Sequence, residues 1–180
     1  DLPKRTYYTL TSSKHHVMSL FLHRAHATLH LKKGDLRYGL QRIPLGVGKL
    51  WQPTDIINTL NPLNGITPER LGAVGLTYSH ELSSLAEWQF FMTQKQDFET
   101  HYQGSQIHWN THQTDFSLSI IKNDDLTMLG GHINSTLGKN GLGSYGEIAH
   151  IQSHKTKDSY AQYVLGLELL RSKGAFSIEI

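Results

Sequence analysis

The chain has 180 residues, enough for one ordinary domain, and its 38% apolar and 18% charged residues exclude a disordered composition. It contains no cysteine, so a disulfide framework and a thiolate metal site are both excluded. The formal net charge of +2 is small and its charges are scattered, which gives nucleic-acid binding no footing, and no apolar run reaches the ~18 residues of a membrane-spanning helix.

Asp1 to His16 reads as an approach segment in which Tyr7, Tyr8 and Leu10 are strand-like. From Leu20 the period becomes two: Phe21, Ala25, Ala27, Leu29 and Leu31 share one side, and Arg24, His26, Thr28 and His30 the other. Lys32-Lys33-Gly34-Asp35 is a turn, and Leu36–Ile43 returns as the second arm of a hairpin. On that arm Leu36, Tyr38 and Leu40 oppose Arg37, Gly39 and Gln41. Pro44 removes a backbone donor, Gly46 and Gly48 permit conformations a ladder does not, and the strand stops. The segment 44–64 is long and non-repetitive, is broken by Pro53 and Pro62, and runs up to Asn64-Gly65. Surface loops are usually polar, yet this one carries Leu50, Trp51, Ile56, Ile57 and Leu60, side chains that call for cover.

Alternation resumes over Leu71–Glu81 and Leu85–Gln94, joined by a turn at Leu82-Ser83-Ser84. Gln96–Gly104 is polar and reads as a loop, followed by a weak strand pattern over Ser105–His112. Asp115–Lys122 and Leu126–Thr136 flank the turn Asn123-Asp124-Asp125, and Lys139-Asn140-Gly141 turns again. Leu142–Ser153 and Tyr160–Arg171 alternate clearly, and Ser172-Lys173-Gly174 leads into Ala175–Ile180. Roughly nine or ten strands of about 10 residues follow one another without a competing helical period. The expected fold is all-β: an antiparallel up-and-down meander forming one domain over 1–180.

The period alone does not say what each face meets. The polar face repeatedly carries single ionisable groups in mid-strand: Arg24, His26, Arg37, Glu87, Glu147, Glu168 and Glu179. In a soluble β-sandwich these would face bulk solvent. In a membrane barrel they would line a wet lumen, with the apolar side chains against lipid.

The segment from Gly39 resembles a motif of a group of porin-like bacterial outer-membrane β-barrel proteins, Gly-Arg-Gln-x-Ile-x-Trp-Gly-x-Gly-x-x-Trp-x-Pro-Thr-Asp-x-x-Asn. Gly39, Gln41, Ile43, Gly46, Gly48, Trp51, Pro53, Thr54, Asp55 and Asn58 match it. Leu40 stands where that family often has Arg, and Leu45 where it often has Trp. Leu22–Ala27 and Tyr145-Gly146-Glu147 are similar to the same family. The resemblance implies a transmembrane β-barrel in the outer membrane, with 44–64 folded inward as a constriction loop. The resembled proteins are much larger than this chain, so it is expected to be the N-terminal part of a wider barrel, with a complete eight- or ten-stranded barrel as the other option.

Other constellations carry less. His26 and His30 share a face but lie about 13 Å apart along a strand, and His23 points the opposite way, so no metal site is expected. Ser79-His80-Glu81 holds the residue types of a triad, but strand neighbours point to opposite faces and cannot bond as nucleophile and base. Glu87, Glu147 and Glu168 have the chemistry of paired glycosidase carboxylates, yet sharing a lumen explains them as well. No enzyme activity and no cofactor are expected.

The functional expectation is an outer-membrane channel for passive passage of small hydrophilic solutes, with membrane lipids and lipopolysaccharide as surroundings and no nucleic-acid partner. Arg24, His26, Arg37, Gln41, Glu87, Glu147 and Glu168 are the expected pore-lining residues. Leu50, Trp51, Pro53, Thr54, Asp55 and Asn58 are the expected constriction loop. The alternatives are a barrel enzyme acting on envelope lipids and a soluble β-sandwich that binds carbohydrate.

Overall fold

The structure is a computed structural model, and it describes residues 7–12, 17–22, 24–58, 70, 72–94, 100–137, 142–171 and 174–180. Two short strands, β1 (Tyr7–Ser12) and β2 (Val17–Phe21), pair with each other. Ten more form one sheet: β3 (Ala25–Leu31), β4 (Gly34–Gln41), β5 (Ala73–Ser83), β6 (Ala86–Gln94), β7 (His101–Thr111), β8 (Thr114–Lys122), β9 (Leu126–Leu137), β10 (Leu142–Ser153), β11 (Ser159–Arg171) and β12 (Gly174–Glu179). Each is hydrogen-bonded to its neighbours in chain order, and every pairing is antiparallel. The protein is therefore an all-β up-and-down meander, with no helix among the described residues. The sheet is not closed, since β3 and β12 are its two ends.

The two-residue period places the side chains. Tyr38, Leu76, Met92, Leu118, Leu129, Ile148, Tyr163 and Leu165 share one face, and all of them are exposed. Gln41, Thr77, Phe91, Gln106, Ile121, Met128, Glu147 and Val164 share the other, and all of them are buried. One face of the sheet thus leaves a row of large apolar side chains uncovered, while the other is covered.

The cover on the second face is the chain that follows β4. Ile43, Leu45 and Ile57 from this loop pack against Phe91, Ile121, Met128, Ala149 and Ile151. Register explains the receiving surface. Phe91 lies across from Gly104, Gly104 from Ile121, Ile121 from Met128, and Met128 from Ile151, so the apolar side chains form one row across β6–β10. The covered face thus mixes an apolar row with polar groups, where alternation alone predicts a wholly polar lining.

The loop also shows that the sheet is curled. Lys49, Leu50 and Trp51 donate backbone hydrogen bonds to Glu179, which is on β12, eight strand positions from β4. In a flat sheet eight steps measure about 38 Å. The eight residues from Gln41 to Lys49 span at most about 29 Å when fully extended. A carboxylate side chain does not make up the difference, so the covered face is concave.

Two expectations are corrected. Leu20–Leu31 does not form one strand: β2 ends at Phe21 and pairs with β1, and β3 starts at Ala25 and pairs with β4. His101–Gly104, read as loop, is the start of β7, where buried Tyr102 and Gly104 alternate with exposed His101 and Gln103. The turn at 139–141, residues 172–173, His23 and the 59–64 end of the loop lie outside the described residues.

Phe91 is fully buried under the loop. Phe91→Ala is expected to cost about 3–5 kcal/mol through lost transfer energy and a residual cavity. Urea unfolding followed by tryptophan fluorescence measures it.

Candidate functional site

Two carboxylates on the sheet hold the loop. Glu147, on β10, is only 3% exposed. Its Oε2 accepts from the backbone N–H groups of Val47 (2.8 Å) and Gly48 (3.1 Å), and its Oε1 accepts from Thr54 N–H and Thr54 Oγ1–H, both at 2.7 Å. Four donors saturate the two oxygens, so the charge is stabilised by backbone dipoles turned towards it in an anion-binding nest. Gly46 makes this possible. Its φ is +81°, and a Cβ there would lie 2.5 Å from Glu147 Oε1. On β9, Gly130 leaves room for the Thr54 methyl, which a Cβ would meet at 2.6 Å.

Glu179 is the second anchor. It accepts from the backbone N–H groups of Lys49 (2.7 Å), Leu50 (3.2 Å) and Trp51 (3.0 Å), and from Tyr145 OH at 2.6 Å. Three consecutive amides turned towards one carboxylate direct the intervening side chains away from it. Leu50 and Trp51 are accordingly 72% and 45% exposed, not packed under cover as their apolar character predicts. Lys49 Nζ reaches Glu168 Oε2 at 3.4 Å, a partly exposed pair that adds little.

The end of the described loop closes on itself. Asp55 Oδ1 accepts from Asn58 N–H (3.0 Å) and Asn58 Nδ2 (2.8 Å). The Asn58 amide then mimics a strand partner for Ile43: Nδ2 donates to Ile43 O at 2.7 Å, and Oδ1 accepts from Ile43 N–H at 3.3 Å. Arg70 donates to the carbonyls of Asp55 and Asn58 and places its Nε 3.4 Å from Asp55 Oδ2. Burial outweighs this cation and pushes the Asp55 carboxyl up to about 6. Below the loop, Gln41 donates to Gly75 O and accepts from Thr77 Oγ1–H.

The residues expected to line a lumen are therefore not equivalent. Gln41 and Glu147 are buried by the loop they position. Arg37, Glu87 and Glu168 are half-buried on the concave face, and His26 is exposed on the same face of β3. Arg24 is exposed and precedes β3. Of the expected loop residues, Pro53, Thr54, Asp55 and Asn58 are buried. Glu179, Gly130 and Arg70 were not singled out as site residues by sequence reasoning. The signal for Glu179 was present, since it shares the polar face with Glu168.

His132 lies across from Glu147, and its ring centroid is 6.0 Å from that of His108. No three His, Asp or Glu side chains among the described residues converge on a metal position. No protein-family model matches the chain, and neither does any curated protein or any solved structure. The class that fold and site define is an antiparallel ten-stranded meander, curled around a loop that two acidic side chains hold against its concave face. That class is compatible with part of a β-barrel.

Glu147→Ala leaves three backbone amides and one hydroxyl without an acceptor, each at about 1–3 kcal/mol if it stays buried. The loop is expected to undock, speeding hydrogen exchange at Val47, Gly48 and Thr54 by at least about a hundredfold. Asp55 provides a second check. Its folded value lies above the ordinary 3.8, so protonation stabilises the docked loop. That stabilisation is complete below about pH 4 and is lost as pH rises through about 6. The opening constant read from Asn58 amide exchange should rise on the order of a hundredfold across this window. Asp55→Asn should flatten the profile.

Proposed function

We propose that the chain forms the wall of a bacterial outer-membrane β-barrel channel that passes small hydrophilic solutes by diffusion. The observation that carries this reading is the exposed apolar face. Leu118, Leu129, Ile148, Tyr163, Leu165 and Leu167, all on consecutive strands β8–β11, are 53–65% exposed. A band of that extent on a single sheet is far more apolar than a water-facing surface and fits acyl chains. The concave face carries Arg37, Glu87 and Glu168, and would be the wet side. The loop lies on that side and narrows it. Diffusion past these groups needs no chemical step, and their charges would select among solutes.

The two ends of the sheet bear on the same reading. β3 and β12 each have one unpaired edge among the described residues. Hydrocarbon does not accept unpaired backbone groups, so in a membrane wall both edges must be paired, with each other or with further strands.

Partition of the protein into detergent, a gel mobility that shifts on boiling and step conductances in planar bilayers are the expected results. Solubility without detergent, or lipid turnover without conductance, overturns the channel. Leu165→Arg, in the middle of β11, is expected to cost about 2–4 kcal/mol of folding stability in lipid vesicles. The same change on a water-facing strand would cost little.

A further inference from the structure

Beside the start of the loop, β4, β5 and β6 enclose a cavity of about 250 Å³ on the concave face. Its lining is chemically graded. Arg37 and Arg42 supply guanidinium groups, Asp35 and Glu87 supply carboxylates, and Thr77 and Gln89 supply neutral polar groups. Ile43 and Pro44, where the chain leaves β4, complete the wall.

The Arg42 Nε–H is buried and has no hydrogen-bond partner among the described residues. A donor closed to water is closed to a ligand as well, so an acid would pair with the outer N–H groups of this guanidinium, whose planar fork matches a carboxylate. The nearby Asp55 carboxylate acts on Arg42 only through space, being itself held by Asn58 and Arg70. At the acidic side, Asp35 already accepts from His30 Nδ1 at 2.8 Å, whereas no hydrogen bond to the Glu87 carboxylate is seen among the described residues. Asp35, Glu81 and Arg37 are the charges that act on Glu87.

We infer that this cavity binds a small carboxylate whose far end carries hydrogen-bond donors, the acid group on Arg42 and the donors on Glu87. Hydroxy acids, sugar acids and free amino acids share that chemistry. The volume equals roughly eight waters, which admits a solute of that size and excludes a peptide or an oligosaccharide. The inference names the solute class of the proposed channel and rests on that reading for its access route from water. Binding is nevertheless measured without conductance, so the two fail separately.

Isothermal titration of the detergent-solubilised chain with sodium gluconate, with glutamine and with glucose tests it. Gluconate or glutamine should bind at least tenfold more tightly than glucose, which has the donors but no acid group. Which of the two acids binds better tells a sugar-acid source from an amino-acid source. Arg42→Gln should weaken acid binding at least tenfold while leaving glucose unchanged, and Glu87→Gln should weaken acid binding severalfold. Ser79→Val, which narrows the cavity without touching a charge, tests occupancy if Arg42→Gln does not fold. Acids that bind no better than glucose overturn the inference, as do Glu87→Gln and Ser79→Val proteins that bind acids like the unaltered chain. Binding without conductance overturns the channel and keeps the site, and conductance without binding does the reverse.

Discussion

The Glu147 carboxylate, closed in by the amides of Val47, Gly48 and Thr54 and by the Thr54 hydroxyl, is the contact on which the rest of the architecture depends. A buried anion with no cation hydrogen-bonded to it is normally costly. Here backbone dipoles from one short loop do the work of a counter-ion. The arrangement is demanding: the chain must bring non-adjacent amides to one point, which fixes Gly46 in a left-handed conformation and requires a glycine at 130 on the opposing strand. Once these conditions are met, the loop has one resting position. Ile43, Leu45 and Ile57 then fall on the apolar row that runs across β6–β10.

Much of this was legible in the sequence because strand period and turn chemistry act locally. The arms Leu142–Ser153 and Tyr160–Arg171 were readable from alternation alone, and the structure pairs them without a break from Leu142 opposite Leu169 to Gln152 opposite Ser159. The motif residues Gly46, Gly48, Thr54, Asp55 and Asn58 were visible as a pattern, but what they hold was not. Their partner Glu147 is distant in sequence, and no local signal connects a glycine-rich loop to a carboxylate a hundred residues away. Leu50 and Trp51 misled for a related reason. Hydrophobicity predicts burial, whereas the orientation of these side chains is set by backbone amides committed to Glu179. His101–Gly104 misled because Gln103 and Gly104 are common loop residues, and only sheet register shows that Gly104 lies across from Phe91.

The two faces of the sheet divide the energetics. On the concave side, burial and hydrogen bonding are complete within the chain for Gln41, Thr54, Asn58 and Glu147. On the convex side, large side chains such as Tyr163 and Leu165 make no comparable contact and are left for the surroundings. A sheet built this way owes its shape to its interior and its solvent to its exterior. On that same side the rings of Trp109 and Phe116, cross-strand partners next to the β7–β8 turn, stack with their centroids 5.1 Å apart.

The strap has a consequence for the order in which the molecule assembles. The loop emerges after the fourth strand, but its anchors lie 100 and about 130 positions later, on the tenth and twelfth. Neighbouring hairpins can zip from either end at low entropic cost, whereas this brace joins distant parts of the chain and has nothing to grip until those strands are in place. Docking is therefore a late event that locks curvature already present. Until β10 and β12 are paired, the amides around Trp51 have no carboxylate to meet, so this segment is the last to settle.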